Sequence, residues 1–281
     1  YLKFYYLYYL KKNIFKNMKK NKYKITIITV VLNDQKNIER TINSVFNQSY
    51  TNIEYIVIDG KSKDNTVKIL KKNKSKINQL IIEKDKGLYD AMNKGLKNAT
   101  GDIIGIVNSG DILYKNTLKA VNVYFLNYSK IDFLFGSVKK HWGILSDFKP
   151  WKIYFSWFFY TSHSTGFYIK RTAAKKIGFY NLKYKYSSDF DYFYRMIVKY
   201  KMKGMVAKKN ILFGFFSPGG ISSRLDYWSH FYEKFLIRKD NSQNKFFLIL
   251  LIITKLIRDF RHLKNIKISK FIQFSKYILF K

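Results

Sequence analysis

Three short polar stretches carry acids that this chain can use for chemistry. Asp59-Gly-Lys-Ser-Lys-Asp64 follows one apolar run, Asn108-Ser-Gly-Asp111 follows another, and Asp189 and Asp191 lie within Tyr186-Ser-Ser-Asp-Phe-Asp-Tyr192. A carboxylate can ligate a hard divalent cation, accept from a sugar hydroxyl or a base N–H, or take a proton from an attacking hydroxyl. Neither GxxxxGK[ST] nor GxGxxG occurs, so metal and lysine, not a glycine-rich helix cap, are the groups left to neutralise phosphate.

The elements that must position these acids are legible from periodicity. KITIITVVL (24–32), IEYIVID (53–59), QLIIEKD (79–85) and DIIGIV (102–107) read as buried strands. KNIERTINSVF, TVKILKK (66–72) and LYDAMNKGLKNA (88–99) read as helices, the first with Ile38, Ile42, Val45 and Phe46 on one face. Strand-helix alternation predicts an α/β fold with right-handed crossovers and a mostly parallel sheet flanked by helices. Ligands of such sheets bind beyond the carboxyl ends of the strands, which puts Thr29 to Asn33, Asp59 to Asp64 and Asn108 to Asp111 along one edge. Residues 136 to 170 offer no readable pattern.

Composition narrows the partners. The 281 residues include 53 Lys and Arg against 18 Asp and Glu, a formal charge of +35, and no cysteine. Thiolate metal sites, disulfides and cysteine nucleophiles are excluded. So basic a surface attracts polyanions: nucleic acid, anionic lipid headgroups or phosphorylated substrates. The basic residues are mostly lysine and no helix-turn-helix, RRM or KH signature is present, so no nucleic acid is expected.

The chain opens on Tyr1, and Met18 heads KKNKYKITIIT, so residues 1–23 read as a flexible or artefactual leader without signal-peptide order. FFLILLII (246–253) is short for a membrane span and is followed by Lys255 and Arg258. The basic, apolar segment beyond it has the make-up of a helix lying on an anionic membrane surface, and equally of a terminal helix packed on the domain. On the first reading the protein is cytoplasmic and peripheral at the inner face of the plasma membrane.

The motifs ITIITVVLNDQKNIERTINSVFNQSYTNIEYIVIDGKSKDNT, DKGLYDAMNKGL and ATGDIIGIVNSGD resemble the nucleotide-sugar half of a family 2 glycosyltransferase with the GT-A fold. SHSTGFYIKR, YSSDFDYFYRM and SPGGISSR are similar to its acceptor half. The resemblance implies a domain at 24–225, split into 24–115 and 116–225, with 226–281 as a helical extension. It further implies a nucleoside-diphosphate sugar donor, a glycan or lipid-linked acceptor, inversion at the anomeric carbon, and Mn2+ or Mg2+ on the diphosphate. By position, Thr29, Asn33 and Asp59 would meet base and ribose. Lys86, Asn93 and Asn108 would join them around the donor. Asp111 matches the last acid of the DxD-type motif, with Asn108 at its first position. Asp189 matches the catalytic base, while Ser188 stands where relatives commonly have Glu.

Blander readings stand beside these. Asp59 and Asp64 suit turns and caps, Asp189 suits a helix cap, and Asp191 with Arg195 suits a surface ion pair. His163 orients a substrate or simply packs, and Gly219-Gly220 with Ser222 forms a turn over the site or an ordinary surface turn. Lys86 meets phosphate or is a solvated lysine.

Overall fold

The computed structural model describes residues 22–157, 164–218 and 227–258. The leader therefore falls almost wholly outside the described residues, as do His163 and Ser222. The first strand, β1 (Ile25–Val31), is buried throughout and lies between two parallel partners, β2 (Ile53–Asp59) and β4 (Ile103–Ile106). Each reads as a continuous apolar run because helices cover both faces of the sheet, the usual condition of parallel strands. β3 (Gln79–Ile82) extends the sheet beside β2.

Helices α1 (Ile38–Phe46), α2 (Thr66–Lys72) and α3 (Leu88–Asn98) are the crossovers. Ile38, Ile42 and Val45 of α1 are buried as their spacing predicts, but Phe46 is more than half exposed and carries Lys76 over its ring at 5.6 Å. Phe46 is the last residue of its helix, where the apolar face has run past the sheet.

Beyond β4 come β5 (Ile112–Leu113), α4 (Thr117–Asn127), β6 (Phe133–Phe135), β7 (Ser137–Lys140) and β8 (Gly143–Leu145). A short helical turn at Pro150–Tyr154 precedes β9 (Phe167–Lys170), α5 (Arg171–Ile177) and α6 (Ser188–Tyr194). The seven-stranded sheet has the order β10-β6-β9-β4-β1-β2-β3, with β10 at Gly204–Val206. β9 runs antiparallel between β4 and β6, a mixture that local periodicity could not reveal. A second, four-stranded sheet runs β5-β11-β7-β8, with β11 at Leu212–Phe215.

Two apolar layers follow from strand alternation. Ile28, Val30, Ile56, Ile58, Ile104 and Ile106 share one apolar cluster with residues of α3, α5 and α6. Ile25, Ile27, Val31, Tyr55, Val57 and Ile103 face α1 and α4. A smaller cluster of Trp157, Phe231, Phe235, Leu248, Leu251 and Ile252 joins α7 (Tyr227–Asp240) to α8 (Lys245–Arg258). α7 is bonded to the loop before α6 and to the turn at 150–156: Glu233 accepts the backbone N–H groups of Lys185 and Tyr186, and Arg238 donates to the carbonyls of Ile153 and Ser156. The Trp157 indole N–H donates to the Leu251 carbonyl at 2.9 Å, which fixes α8 as well.

The approach of α3 to β1 depends on Gly95. A Cβ built there would lie 2.3 Å from Cγ2 of Ile28, itself fully buried. Alanine is favoured over glycine in a helix by about 1 kcal/mol, but overpacking a full core costs about 1–3 kcal/mol. Gly95→Ala should therefore lower the urea midpoint, by on the order of 1 kcal/mol of stability, although helix propensity alone predicts a gain.

Candidate active site

The carboxyl ends of β1, β2 and β4 are held together by backbone bonds that cross between the strands. Gly60 N–H donates to Val31 O at 3.0 Å and Ser109 N–H to Val30 O at 3.1 Å. Asp59 is fully buried, with Oδ1 accepting the Ser62 N–H (2.9 Å) and Oδ2 the Ser62 hydroxyl (2.6 Å). Asn33 takes the left-handed backbone region (φ 51°), its N–H donating to Ser62 Oγ and its Oδ1 accepting from Lys63 N–H. The two loops thus brace one another through Ser62. Asp64 accepts from the Thr66 N–H in the turn that leads into the next helix, the turn role its residue type suits.

Asp85, which the sequence reading passed over, also stands here. A Cβ on Gly60 would come within 2.3 Å of Asp85 Oδ2, so this carboxylate lies against the backbone that follows Asp59. Its Oδ1 accepts the N–H of Gly87, whose φ of 120° needs glycine. The available signal was an acid two residues before a glycine that opens a helix. Lys86 is exposed, and its backbone N–H donates to Asp90.

Thr29 and Asn93 are corrections. Thr29 lies two residues inside β1, and strand parity turns it toward the layer under α1. It is fully buried and its hydroxyl accepts from the Tyr55 hydroxyl at 3.0 Å, so it forms the wall behind the edge and presents nothing to base or ribose. Asn93 holds a neighbouring loop instead of a sugar: Nδ2 donates to Tyr180 O (2.9 Å) and Oδ1 accepts Tyr180 N–H (2.8 Å).

Asp111 follows Gly110, whose φ of 94° turns the chain back. Its Oδ2 accepts from the Ser164 hydroxyl (2.7 Å) and Oδ1 from the Ser217 N–H (2.9 Å). Burial pushes its carboxyl up to about 7, against the opposing pull of Ser164, Ser217 and Lys140. Lys140, at the end of β7, has its ammonium 4.4 Å from the Phe216 ring, and burial lowers its pKa while Asp111 raises it. Asn108 Oδ1 is buried without a hydrogen-bond partner among the described residues. That orphaned acceptor and the Asp111 carboxylate are oxygen donors of the type a hard cation takes. Among the described residues no three His, Cys, Asp or Glu side chains converge, so most ligands of such a cation would come from diphosphate and water. Asp34, also unforeseen, joins this edge to β1 by accepting from the Ser109 hydroxyl at 2.6 Å.

Across the site, Asp189 is the second residue of α6. Its Oδ1 accepts from its neighbour's N–H, that of Phe190 (2.8 Å), and from the Tyr89 hydroxyl (3.2 Å), while nothing described bonds to Oδ2. Burial lowers the Lys234 pKa to about 8, and Asp189 opposes that fall. Asp191 does pair with Arg195 (2.8 Å), but the pair is interior, not on the surface: Asp191 is 2% exposed, and Arg195 also donates to Ile177 O and Phe179 O. The other Asp191 oxygen accepts from Asn241 Nδ2.

Residues 26–196, more than half of the chain, match the family described as glycosyl transferase family 2. The chain belongs to that family. Over 116 residues this family 2 chain is 35% identical to UDP-Glc:alpha-D-GlcNAc-diphosphoundecaprenol beta-1,3-glucosyltransferase WfgD of Escherichia coli, covering 41% of the chain and 46% of that protein. Over 88 residues it is 40% identical to an uncharacterized glycosyltransferase of Mycobacterium tuberculosis, covering 31% and 34%. The matched stretches thus span well under two thirds of these relatives. Among solved structures it is similar to Staphylococcus aureus TarS 1–349 in complex with UDP, with a TM-score of 0.66 at 16% identity over 89% of this chain and 78% of that one. The mannosyltransferase PcManGT from Pyrobaculum calidifontis, in complex with GDP-Man and Mn2+, gives 0.57 at 14% identity over 92% and 85%. These likenesses establish the fold as GT-A.

The Asp111 environment gives this family 2 protein a stability test. The carboxyl has a folded value of about 7 against an ordinary 3.8. The stability it contributes as a neutral acid is fully present below 3.8 and lost as the pH rises through 7, where the folded state bears a buried charge. An asparagine amide can meet the same neighbours, because the Ser164 hydroxyl can turn to accept. Asp111→Asn should therefore raise the melting temperature of the metal-free protein at pH 8, by on the order of 1–4 kcal/mol of stability. The gain should fade toward pH 4, as thermal melts at both pH values would record.

Proposed function

We propose that this protein transfers a sugar, with inversion, from a nucleoside-diphosphate sugar to a hydroxyl of a glycan or lipid-linked acceptor in surface glycan assembly. The observation that carries the reading is the contrast within α6. Asp191 has both oxygens committed to Arg195 and Asn241, whereas the Oδ2 of partly exposed Asp189 is unengaged by any described group. A base needs such an oxygen. In the reaction the acceptor oxygen forms its bond to the anomeric carbon as the bond from that carbon to the diphosphate oxygen breaks. The acceptor's proton passes to Asp189, and the diphosphate departs on the opposite face.

Asp59, Asn33 and Asp85 line the edge where base and ribose would sit, and Lys140 supplies positive charge near the diphosphate. A bound divalent cation, Mn2+ or Mg2+, supplies Lewis-acid charge to the leaving group; Asp111 and Asn108 are the residues that would hold it. The Mn2+ in the PcManGT complex and the UDP in the TarS complex support this reading, as does the lipid-diphosphate acceptor in the name of WfgD.

Asp189→Asn keeps shape and an acceptor oxygen but cannot take a proton. Single-turnover transfer at saturating donor should fall by about 10²- to 10⁴-fold while calorimetric donor binding stays nearly unchanged. Asparagine caps helices as well as aspartate does, so retention of more than about a tenth of turnover would leave Asp189 a mere cap. A screen of nucleotide sugars for diphosphate release supplies the donor.

We also propose peripheral docking of α8 on an anionic membrane, at the inner face of the plasma membrane. No helix among the described residues is long and apolar enough to cross one. α8 buries Leu248, Leu251 and Ile252, yet exposes Phe246 (78%), Ile249, Leu250, Ile253 and Ile257. Trp151 and Phe155 continue that apolar face, Phe155 meeting the Phe247 ring at 5.6 Å. With a chain charge of +35, apolar insertion and headgroup attraction act together. Deleting α8 would bare the Trp157 cluster, so serine at Phe246, Ile249 and Ile253 is the cleaner change. Sedimentation with phosphatidylserine vesicles should fall at least about tenfold, and salt should weaken wild-type binding. Unchanged sedimentation would mean that the face serves another contact, such as residues 259–281.

A further inference from the structure

We propose that Tyr89 is the positioning residue for Asp189, and that α3 thereby ties the base to the donor-binding edge. The inference rests on the assignment of Asp189 as base. Tyr89 is the second residue of α3 and only 7% exposed. Its hydroxyl lies 3.1 Å from Tyr186 O and 3.2 Å from Asp189 Oδ1. A phenol has one proton to donate, so it serves two acceptors as a shared bond, and its place between them fixes where Oδ1 can stand. With Oδ1 so held and also bonded to Phe190 N–H, Oδ2 is the oxygen left to face an acceptor hydroxyl.

The ring is as constrained as the hydroxyl. Tyr89 stacks on Tyr180 (5.6 Å, 30°), which stacks on Tyr192 of α6 (4.5 Å, 26°). Asn93, one turn further along α3, grips the backbone of the same Tyr180 through both ends of its amide. One face of α3 therefore holds the loop before α6 at three places: Tyr180, Tyr186 and Asp189. The other end of this connection is the donor edge. α3 starts three residues after Asp85, whose carboxylate lies against Gly60 and bonds to Gly87 N–H. A shift of the 85–87 turn when a nucleotide binds would move Tyr89, and with it Asp189, as one rigid helix. Burial and the Asp189 charge together push the Tyr89 phenol well above its ordinary pKa, so it remains a donor throughout the working pH range.

The test uses the full chain and the donor found by diphosphate release, comparing Tyr89→Phe, Asp189→Asn and the double variant. Tyr89→Phe removes one oxygen and keeps the stacked ring. Its kcat should fall by about tenfold or more with donor KM within about twofold of wild type, a split that general loosening of the domain does not produce. The double variant should match Asp189→Asn within about twofold, because positioning a group that cannot take a proton changes nothing. A kcat near wild type, a KM that moves as far as kcat, or losses that multiply in the double variant would each overturn the proposal. Near-wild-type turnover by Asp189→Asn would instead reject the base assignment beneath it. Should Tyr89→Phe not fold, 3,5-difluorotyrosine at position 89 keeps the shape and alters only donor strength, and an unchanged kcat there is equally fatal.

Discussion

Pairing of β1 on both edges is the constraint from which the rest of the site follows. Its seven residues match β2 one for one, and its first four match β4. A strand hydrogen-bonded on both sides and buried on both faces cannot slip by one residue without exchanging its apolar layers. The loops after β1, β2 and β4 consequently leave the sheet at fixed places. Asn33 and Asp59 meet through Ser62, and Asp111 follows β4 at the same edge, because the ladder ends where it does. Ser62 and Ser109 then lock those loops, through Asn33 and Asp59 in one case and Asp34 in the other.

Carboxylates at this edge live in different electrostatic settings, and the difference fits their proposed work. Asp59 is buried but has two donors from a single serine aimed at it. Asp111 is buried with one neutral donor on each oxygen, and burial prevails, raising its pKa to about 7. A buried carboxylate beside an Asn108 oxygen that has no partner among the described residues favours the arrival of positive charge. Above the raised pKa the fold is correspondingly less stable than it would be with a neutral side chain there.

The acceptor side is built differently. α6 and α7 fill their interior with tyrosine, phenylalanine and arginine, and several of the polar ends have partners, although the Tyr192 hydroxyl and Arg238 Nε find none among the described residues. Arg238 is fully buried and passes between the rings of Trp157, Phe190 and Tyr194 to reach carbonyl oxygens of the turn at 153–156. Arg195 does the same for the loop at 177–179. Guanidinium groups suit this task because their planar fork stacks on rings while donating in several directions. The segment carrying Asp189 is thereby held by side chains from three directions, although it lies far in sequence from the donor edge.

The first four strands and three helices could be read from the chain because their periodicity is local: apolar runs of strand length, helical spacing between them, and polar turns at the ends. Asn33, Asp59, Asn108 and Asp111 were singled out on the same grounds, and they do lie at the strand ends, where such sheets bind ligands. Only the tertiary structure could turn Thr29 away from the edge, because burial of both sheet faces erases the polar-apolar alternation that marks a side chain's direction. Asn93 looked like a ligand residue until its amide met Tyr180, a partner 87 positions away. Residues 136–170 hid β7 and an antiparallel β9 because β11, β4 and β6, with which they pair, are not near neighbours in the chain, while β8 forms only a short hairpin with β7. Residue type and spacing therefore determined which acids lie at the strand ends. Which of their oxygens are engaged, and which cations and tyrosines face them, was decided by long-range packing, which leaves no periodic trace in a sequence.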